Sequence, residues 1–157
     1  MIKTNVMRIL EKEKIPYTAF SYSAEDGVID GVGVAKKMGQ KVEEVYKTLV
    51  TRNGQKLFIF VIPVAKELDL KKAAKAAGQK AVEMVHVKEL FGLTGYVRGG
   101  CSPIGMKKRY PTVIDESANQ QTSILVSGGK IGTQVCLSPD ALAKLAGATF
   151  ASITKGE

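Results

Sequence analysis

Val45-Tyr46-Lys47-Thr48-Leu49-Val50-Thr51-Arg52-Asn53-Gly54-Gln55-Lys56-Leu57-Phe58-Ile59-Phe60-Val61-Ile62 is the stretch on which the fold turns. Residues 45–50 read as extended, Asn53-Gly54 is a strong hairpin turn signal, and residues 57–62 form an unbroken apolar run. A strand that is apolar without alternation is covered on both faces, so the second arm should lie in the middle of a sheet.

Upstream, Thr4 suits the cap of a first helix, with Val6, Ile9 and Leu10 on one face and Pro16 beyond its end. Residues 17–22 alternate as a strand does, residues 23–31 form a Gly-, Asp- and Ser-rich loop, and Val34, Ala35 and Met38 suit a short helix closed by Gly39. Downstream, Asp69 can cap a helix over residues 70–77, with Leu70, Ala73, Ala74 and Ala77 facing inward and Lys71, Lys72 and Lys75 outward. A further short helix is expected over residues 87–93 and a strand over 112–114. A last hairpin has arms at 123–126 and 133–137, joined through Gly128-Gly129. Ser138-Pro139 then opens a helix over 140–145, and Gly147 closes it before a strand near 149–153. Strands and helices mix without regular βαβ alternation, which predicts an α+β fold with a curved, barrel-like mixed sheet flanked by short helices.

At 157 residues and 45% hydrophobic content the chain can build one packed core, so a single domain over 1–157 is expected. The N-terminus, MIKTNVMRILEKEKIPY, breaks every apolar stretch with charge, unlike a signal peptide, and no segment has the eighteen or so apolar residues of a membrane span. A cytoplasmic protein without a membrane partner is expected. The 2 cysteines, Cys101 and Cys136, fit a reducing compartment and form no metal-binding pattern with the sole histidine, His86, so no metal is expected. The net charge of +8 favours a polyanionic partner, although the lysines are dispersed and would also serve solubility alone.

The familiar catalytic signatures fail one by one. Gly100-Cys101-Ser102-Pro103-Ile104 lacks the serine position and final glycine of a hydrolase elbow. Gly31-Val32-Gly33-Val34-Ala35-Lys36 lacks the last glycine of a dinucleotide fingerprint, and Gly129-Lys130 lacks the rest of a phosphate loop. A Cys101–His86 dyad is chemically available, but sequence separation says nothing about distance, and a buried structural cysteine is the commoner case. What remains is Lys47 in an apolar strand and the Gly99-Gly100 turn, a pair suited to an anion or a developing oxyanion. The residues alone leave two alternatives open: such a site, or a solvent-facing lysine and an ordinary turn.

Several motifs remain to be read together: Tyr46-Lys47-Thr48-Leu49, Leu70-Lys71-Lys72-Ala73-Ala74, Thr94-Gly95-Tyr96, Gly99-Gly100-Cys101-Ser102-Pro103-Ile104-Gly105, Lys107-Lys108-Arg109 and Val126-Ser127-Gly128-Gly129-Lys130. In this order they resemble the YbaK/EbsC family, related to the editing domain inserted in some bacterial prolyl-tRNA synthetases. Their order runs over nearly the whole chain. The resemblance implies that family's editing-domain fold, no cofactor, and trans-editing hydrolysis of the ester of mischarged aminoacyl-tRNA, typically cysteine on proline tRNA. It implies mischarged tRNA as partner and a complex with prolyl-tRNA synthetase as a further one. Catalytic roles fall to Lys47, which anchors the terminal ribose and ester, and to the amides of Gly99 and Gly100, which polarise the carbonyl. Tyr22, Asp30, Thr48, Cys101, Ser102, Ser127 and Gln134 would bind substrate. The substrate thiol would attack its own carbonyl, so that positioning replaces an enzyme nucleophile.

Two positions depart from the family pattern: Asp30, where an aromatic is common, and Gln134, where an aspartate is common and a neutral amide removes a charge that could bind the substrate ammonium. They bear on amino-acid specificity and leave, as an alternative, a noncatalytic module that binds aminoacyl-tRNA.

Overall fold

The structure is a computed structural model that describes residues 3–156; Met1, Ile2 and Glu157, included in the single-domain and N-terminal expectations, lie outside them. The elements in chain order are α1 (Asn5–Lys12), β1 (Thr18–Ser21), α2 (Gly31–Met38), β2 (Tyr46–Asn53), β3 (Lys56–Pro63), α3 (Leu70–Ala76), β4 (Glu83–Met84), α4 (Val87–Thr94), β5 (Thr112–Asp115), β6 (Ile124–Ser127), β7 (Thr133–Leu137), α5 (Pro139–Ala146) and β8 (Thr149–Ala151).

The central hairpin pairs antiparallel from Tyr46 opposite Pro63 to Asn53 opposite Lys56. Its turn is Gly54-Gln55, one residue beyond the Asn53-Gly54 reading, with Gly54 at φ 63° in the left-handed region that a two-residue hairpin needs at its first loop position. As expected, β3 is central: β2 flanks it on one side and the parallel β5 on the other, in a sheet ordered β4-β2-β3-β5-β8. Phe58, Phe60 and Ile62 pack toward Ala73 and Ala74 of α3. Val61 points the other way, into a cluster with Tyr46, Ile114 and the α1 residues Val6, Met7 and Leu10. Full burial of each large side chain contributes about 1.5–3 kcal/mol, which makes this hairpin the energetic centre of the fold.

Helix starts follow local chemistry. Thr4 Oγ1 accepts from the Met7 amide at 3.2 Å, Asp69 Oδ1 from the amides of Lys71 and Lys72 at 3.0 Å, and Ser138 Oγ from Ala141 at 3.0 Å. Leu70, expected on the inner side of α3, is instead 42% exposed at the helix's first residue.

The α+β reading holds, but the strands divide into two sheets and, among the described residues, form no closed barrel. A second sheet, ordered β1-β7-β6, packs against the first through a shared core that includes Tyr46, Val61, Val126 and Val135, and is tied to it along the backbone by a parallel bridge between Val45 and Leu125. The hairpin of β6 and β7 pairs with β1, while β2 is already taken by β3 and, farther along, by β4. The sheets therefore part just beyond Val45, leaving a seam. No helix among the described residues is long and apolar enough to cross a membrane.

Candidate active site

At that seam the first residues of β2 meet the ends of β6 and β7. A cavity of about 90 Å³ opens there, lined by Tyr22, Lys47, Thr48, Gly99, Cys101, Ser127 and Gln134 together with Ile29, Gly31, Val34, Val45, Tyr46 and Val64. Ser127 and Gln134 arrive as a cross-strand pair of the last hairpin, and Gln134 also lies opposite Phe20 of β1. Ser127 Oγ accepts from the Gly129 amide at 3.1 Å, which fixes the start of the loop beyond it.

Lys47 lies opposite Ile62 in the register of β2 and β3. Simple alternation would turn it to solvent, yet the seam leaves it half-buried on the cavity wall. Burial pushes its pKa below the ordinary lysine value, and the distant carboxylate of Glu67 only partly opposes this. Among the described residues no carboxylate forms an ion pair with it.

Three side-chain oxygens in the same wall are buried without a hydrogen-bond partner: Tyr22 Oη, Thr48 Oγ1 and Gln134 Oε1. Such atoms are rare in folded proteins, because losing water without a replacement costs about 1–3 kcal/mol each. All three line the same cavity as the half-buried Lys47, so unpartnered polar atoms and a cation share one wall. By contrast, the fully buried Tyr46 hydroxyl is satisfied, at 2.7 Å from Ser117 Oγ.

The glycine turn divides its roles differently from the expectation. Gly99 and Cys101 line the cavity, and among the described residues neither of their amides is hydrogen-bonded. Gly100 is a correction: its amide donates to the Val97 carbonyl at 3.0 Å, so it closes the turn and cannot also polarise a substrate carbonyl. Its lack of a side chain serves packing, since a Cβ there would stand 3.0 Å from the Ile131 backbone nitrogen. Ser102 is a second correction. It is buried, away from the cavity wall, and its Oγ accepts from the Ile104 amide at 3.3 Å. Burial raises the Cys101 thiol to about 12, which leaves almost no thiolate at neutral pH. His86, at the start of α4, is exposed and outside the cavity. Among the described residues no three His, Cys, Asp or Glu side chains converge as a metal site requires.

Asp30 is the third correction. It is exposed, and its Oδ2 accepts from the Gly33 amide at 3.0 Å as the N-cap of α2. Its neighbour Ile29 reaches the cavity instead. The loop that carries them is clasped by Lys37, whose Nζ donates to the Ser23 carbonyl at 2.6 Å, Asp26 Oδ1 at 2.5 Å and the Val28 carbonyl at 2.9 Å, and stands 5.8 Å from the centre of the Tyr22 ring.

Of the site residues named from the sequence, seven line this one cavity: Tyr22, Lys47, Thr48, Gly99, Cys101, Ser127 and Gln134. Sequence reasoning missed the apolar wall of Ile29, Val34, Val45 and Val64, and also Gly31 and Tyr46. For Gly31 the requirement is close packing: a Cβ there would lie 2.3 Å from Val64 Cγ1. The apolar residues carry no chemical signal of their own, and only the seam makes them lining.

With this geometry in hand, comparison with known proteins is specific. The model of the aminoacyl-tRNA editing domain family matches residues 31–145. An Enterococcus faecalis protein named "Putative Cys-tRNA(Pro)/Cys-tRNA(Cys) deacylase EbsC" is 47% identical over 156 residues, covering 99% of this chain and 95% of that protein. A crystal structure described as "a putative trans-editing enzyme for prolyl tRNA synthetase" superposes with a TM-score of 0.82 at 23% identity, covering 98% of this chain and 99% of that one. Another, of a hypothetical protein, superposes with a TM-score of 0.87 at 22% identity, covering 97% of this chain and 100% of that one. The two structural likenesses bear on the fold, and the sequence matches bear on descent. The resemblance drawn from Lys47, the Gly99 turn and the motifs around them is thereby established: the chain belongs to the aminoacyl-tRNA editing domain family, the YbaK family.

Proposed function

We propose that this protein is a deacylase that acts in trans on mischarged tRNA, hydrolysing the ester between an amino acid, cysteine foremost, and the 3′-terminal adenosine of proline tRNA. The observation that carries the reading is the convergence of the unpartnered Tyr22, Thr48 and Gln134 oxygens on one small cavity with Lys47. An aminoacyl ester brings what these groups lack. Its α-ammonium can donate to Gln134 Oε1, its ribose hydroxyl can bond Thr48 or Tyr22, and its ester oxygens take the Lys47 cation. The amides of Gly99 and Cys101 supply donors for the oxyanion, each such donor typically being worth roughly 10²–10³-fold in rate. The name of the Enterococcus faecalis relative supports the choice of cysteinyl ester.

Neither the Cys101 thiol, held protonated by burial, nor the exposed His86 suits a nucleophile at this cavity. The substrate's own thiol fills that role: its sulfur bonds to the carbonyl carbon, the ester C–O bond breaks, and the thiol proton passes to the departing ribose oxygen. Water then opens the resulting thiolactone to free cysteine. Holding thiol and carbonyl together supplies the rate, with effective molarities that can reach on the order of 10⁵ M. A complex with prolyl-tRNA synthetase would deliver the substrate at its source.

A panel of proline tRNA charged with cysteine, serine or alanine tests this. Cysteine should be released fastest, by about 10²-fold or more over the other two if the thiol is the nucleophile. Equal release of all three would contradict substrate assistance, and binding of the charged tRNAs without release would identify a noncatalytic module.

A further inference from the structure

The large exposed apolar side chains are unevenly placed. Among the described residues they are Leu70, Met84, Val87, Phe91, Val97 and Ile131. Four of these, from Met84 to Val97, fall in one segment of β4, α4 and the following loop, and Ile131 lies across the Gly99 turn from it. Val87 is 59% and Phe91 60% exposed, one helical turn apart on the same face of α4. Clustered apolar exposure of this kind marks a binding surface.

A groove of about 420 Å³ runs through this segment, walled by Leu49, Val50, Met84, Val85, Val87 and Leu90, with Arg98 at its edge. Thr48, Gly99 and Cys101 line both this groove and the catalytic cavity, so the two spaces adjoin across the residues that face the ester. Their sizes differ in a way that assigns them. The cavity, at about 90 Å³, is below the roughly 300–1,000 Å³ of pockets that enclose a drug-sized ligand, whereas the groove falls within that range. An amino acid fits the first; a nucleoside needs the second.

We propose that this groove seats the 3′-terminal nucleoside of the RNA whose aminoacyl ester enters the cavity, with the base against Met84, Val87 and Leu90 and the 5′-phosphate toward Arg98. The inference rests on the deacylase reading and deepens it. An apolar trough rimmed by cations suits a flat base on an anionic backbone. Lys88 is exposed on α4, and Lys107 Nζ stands 6.0 Å from the centre of the Phe91 ring. Of the acidic residues nearby, Glu89 is paired with Arg52 at 3.2 Å, while Glu83 is exposed on β4. A strand's continuation from the terminal base would pass over Phe91 and Lys107, where stacking and charge coincide.

The test compares two substrates, 3′-O-cysteinyl adenosine and cysteine ethyl ester, which share the reacting ester and differ in the nucleoside. For the native protein kcat/KM should favour the adenosine ester. Val87→Asp, which places an acid at the first position of a helix where it is tolerated, should lower that preference roughly tenfold or more. Met84→Asp on β4 should do the same, and Leu70→Asp, on exposed α3 surface away from both spaces, should leave it unchanged. A preference unaltered by both Val87→Asp and Met84→Asp overturns the assignment. If those variants also turn a dimer into a monomer in sedimentation, the patch belongs to a second copy of the chain. Hydrolysis of neither ester by the native protein would overturn the deacylase reading and this one together.

Discussion

Lys37, which clasps the loop next to Tyr22, and Lys47, on the cavity wall, have opposite surroundings. Lys37 is fully engaged, its three donors bound to the Ser23 and Val28 carbonyls and the Asp26 carboxylate, and its charge lies near the Tyr22 ring. Lys47 is half-buried, pushed down in pKa by desolvation, and unpaired among the described residues. The first lysine is spent on holding a loop in place. The second is partly desolvated with no carboxylate paired to it among the described residues, and on the proposed function a substrate would meet that cost. The same division runs through the polar side chains: Asp30, Ser102 and Tyr46 are satisfied by the protein, whereas Tyr22, Thr48 and Gln134 are not.

Breaking the contrast at Lys47 has the largest expected effect. Lys47→Met should lower single-turnover release of cysteine from proline tRNA by roughly 10²–10³-fold, the usual cost of one group that stabilises a developing oxyanion. Its melting temperature should equal or exceed that of the native protein. The sign follows from linkage: because the folded pKa is depressed, the unfolded chain binds more protons in the window below the ordinary lysine value, and the stability tied to this residue rises with pH there.

Gln134→Leu comes next. It should raise KM for the cysteinyl ester by about tenfold, the range of a hydrogen bond to a charged group, while removing a buried oxygen without a partner and so sparing or improving stability. Lys37→Met inverts this pattern. Thermal stability should fall, and activity should drop only as far as Tyr22 and Ile29 lose their positions, far less than in Lys47→Met. Cys101→Ala should change turnover little, since the thiol is protonated and serves as wall.

The smallest effect concerns acid. The Lys37 hydrogen bond, and then the Val28 amide, hold the Asp26 carboxyl below its ordinary value. Its contribution is therefore complete above that value and is lost as pH falls through the depressed one. The protection of the Val28 amide, bonded to Asp26 at 2.9 Å, should fall over that acid range and stay level above it once exchange is corrected for its intrinsic pH dependence.

The sequence made the central hairpin legible because an Asn-Gly turn and an unbroken apolar arm admit few alternatives, and even the one-residue shift of the turn kept the pairing. It made Lys47 legible only through motif resemblance. Period-two alternation points a strand lysine outward, and its burial comes from the parting of two sheets that no local pattern records. Asp30 failed for the opposite reason. An aspartate before a short helix is an ordinary N-cap, and here that local role engages the carboxylate. Gly100 was misassigned because a Gly-Gly pair does not tell which amide closes the turn. The pairing of Ser127 with Gln134 was within reach, since the hairpin arms were nearly right and register alone brings the two together. Tyr22 and Ile29 precede the segment matched by the family model, and they reach the cavity through the loop that Lys37 holds.

The central claim is that unsatisfied groups act on substrate while satisfied ones hold the fold. Parallel measurement of the cysteine release rate and the melting temperature of Lys47→Met and Lys37→Met tests it most directly. The account predicts that Lys47→Met loses the rate and keeps the melting temperature, and that Lys37→Met loses melting temperature and keeps most of the rate. Undiminished release by a folded Lys47→Met variant would contradict it.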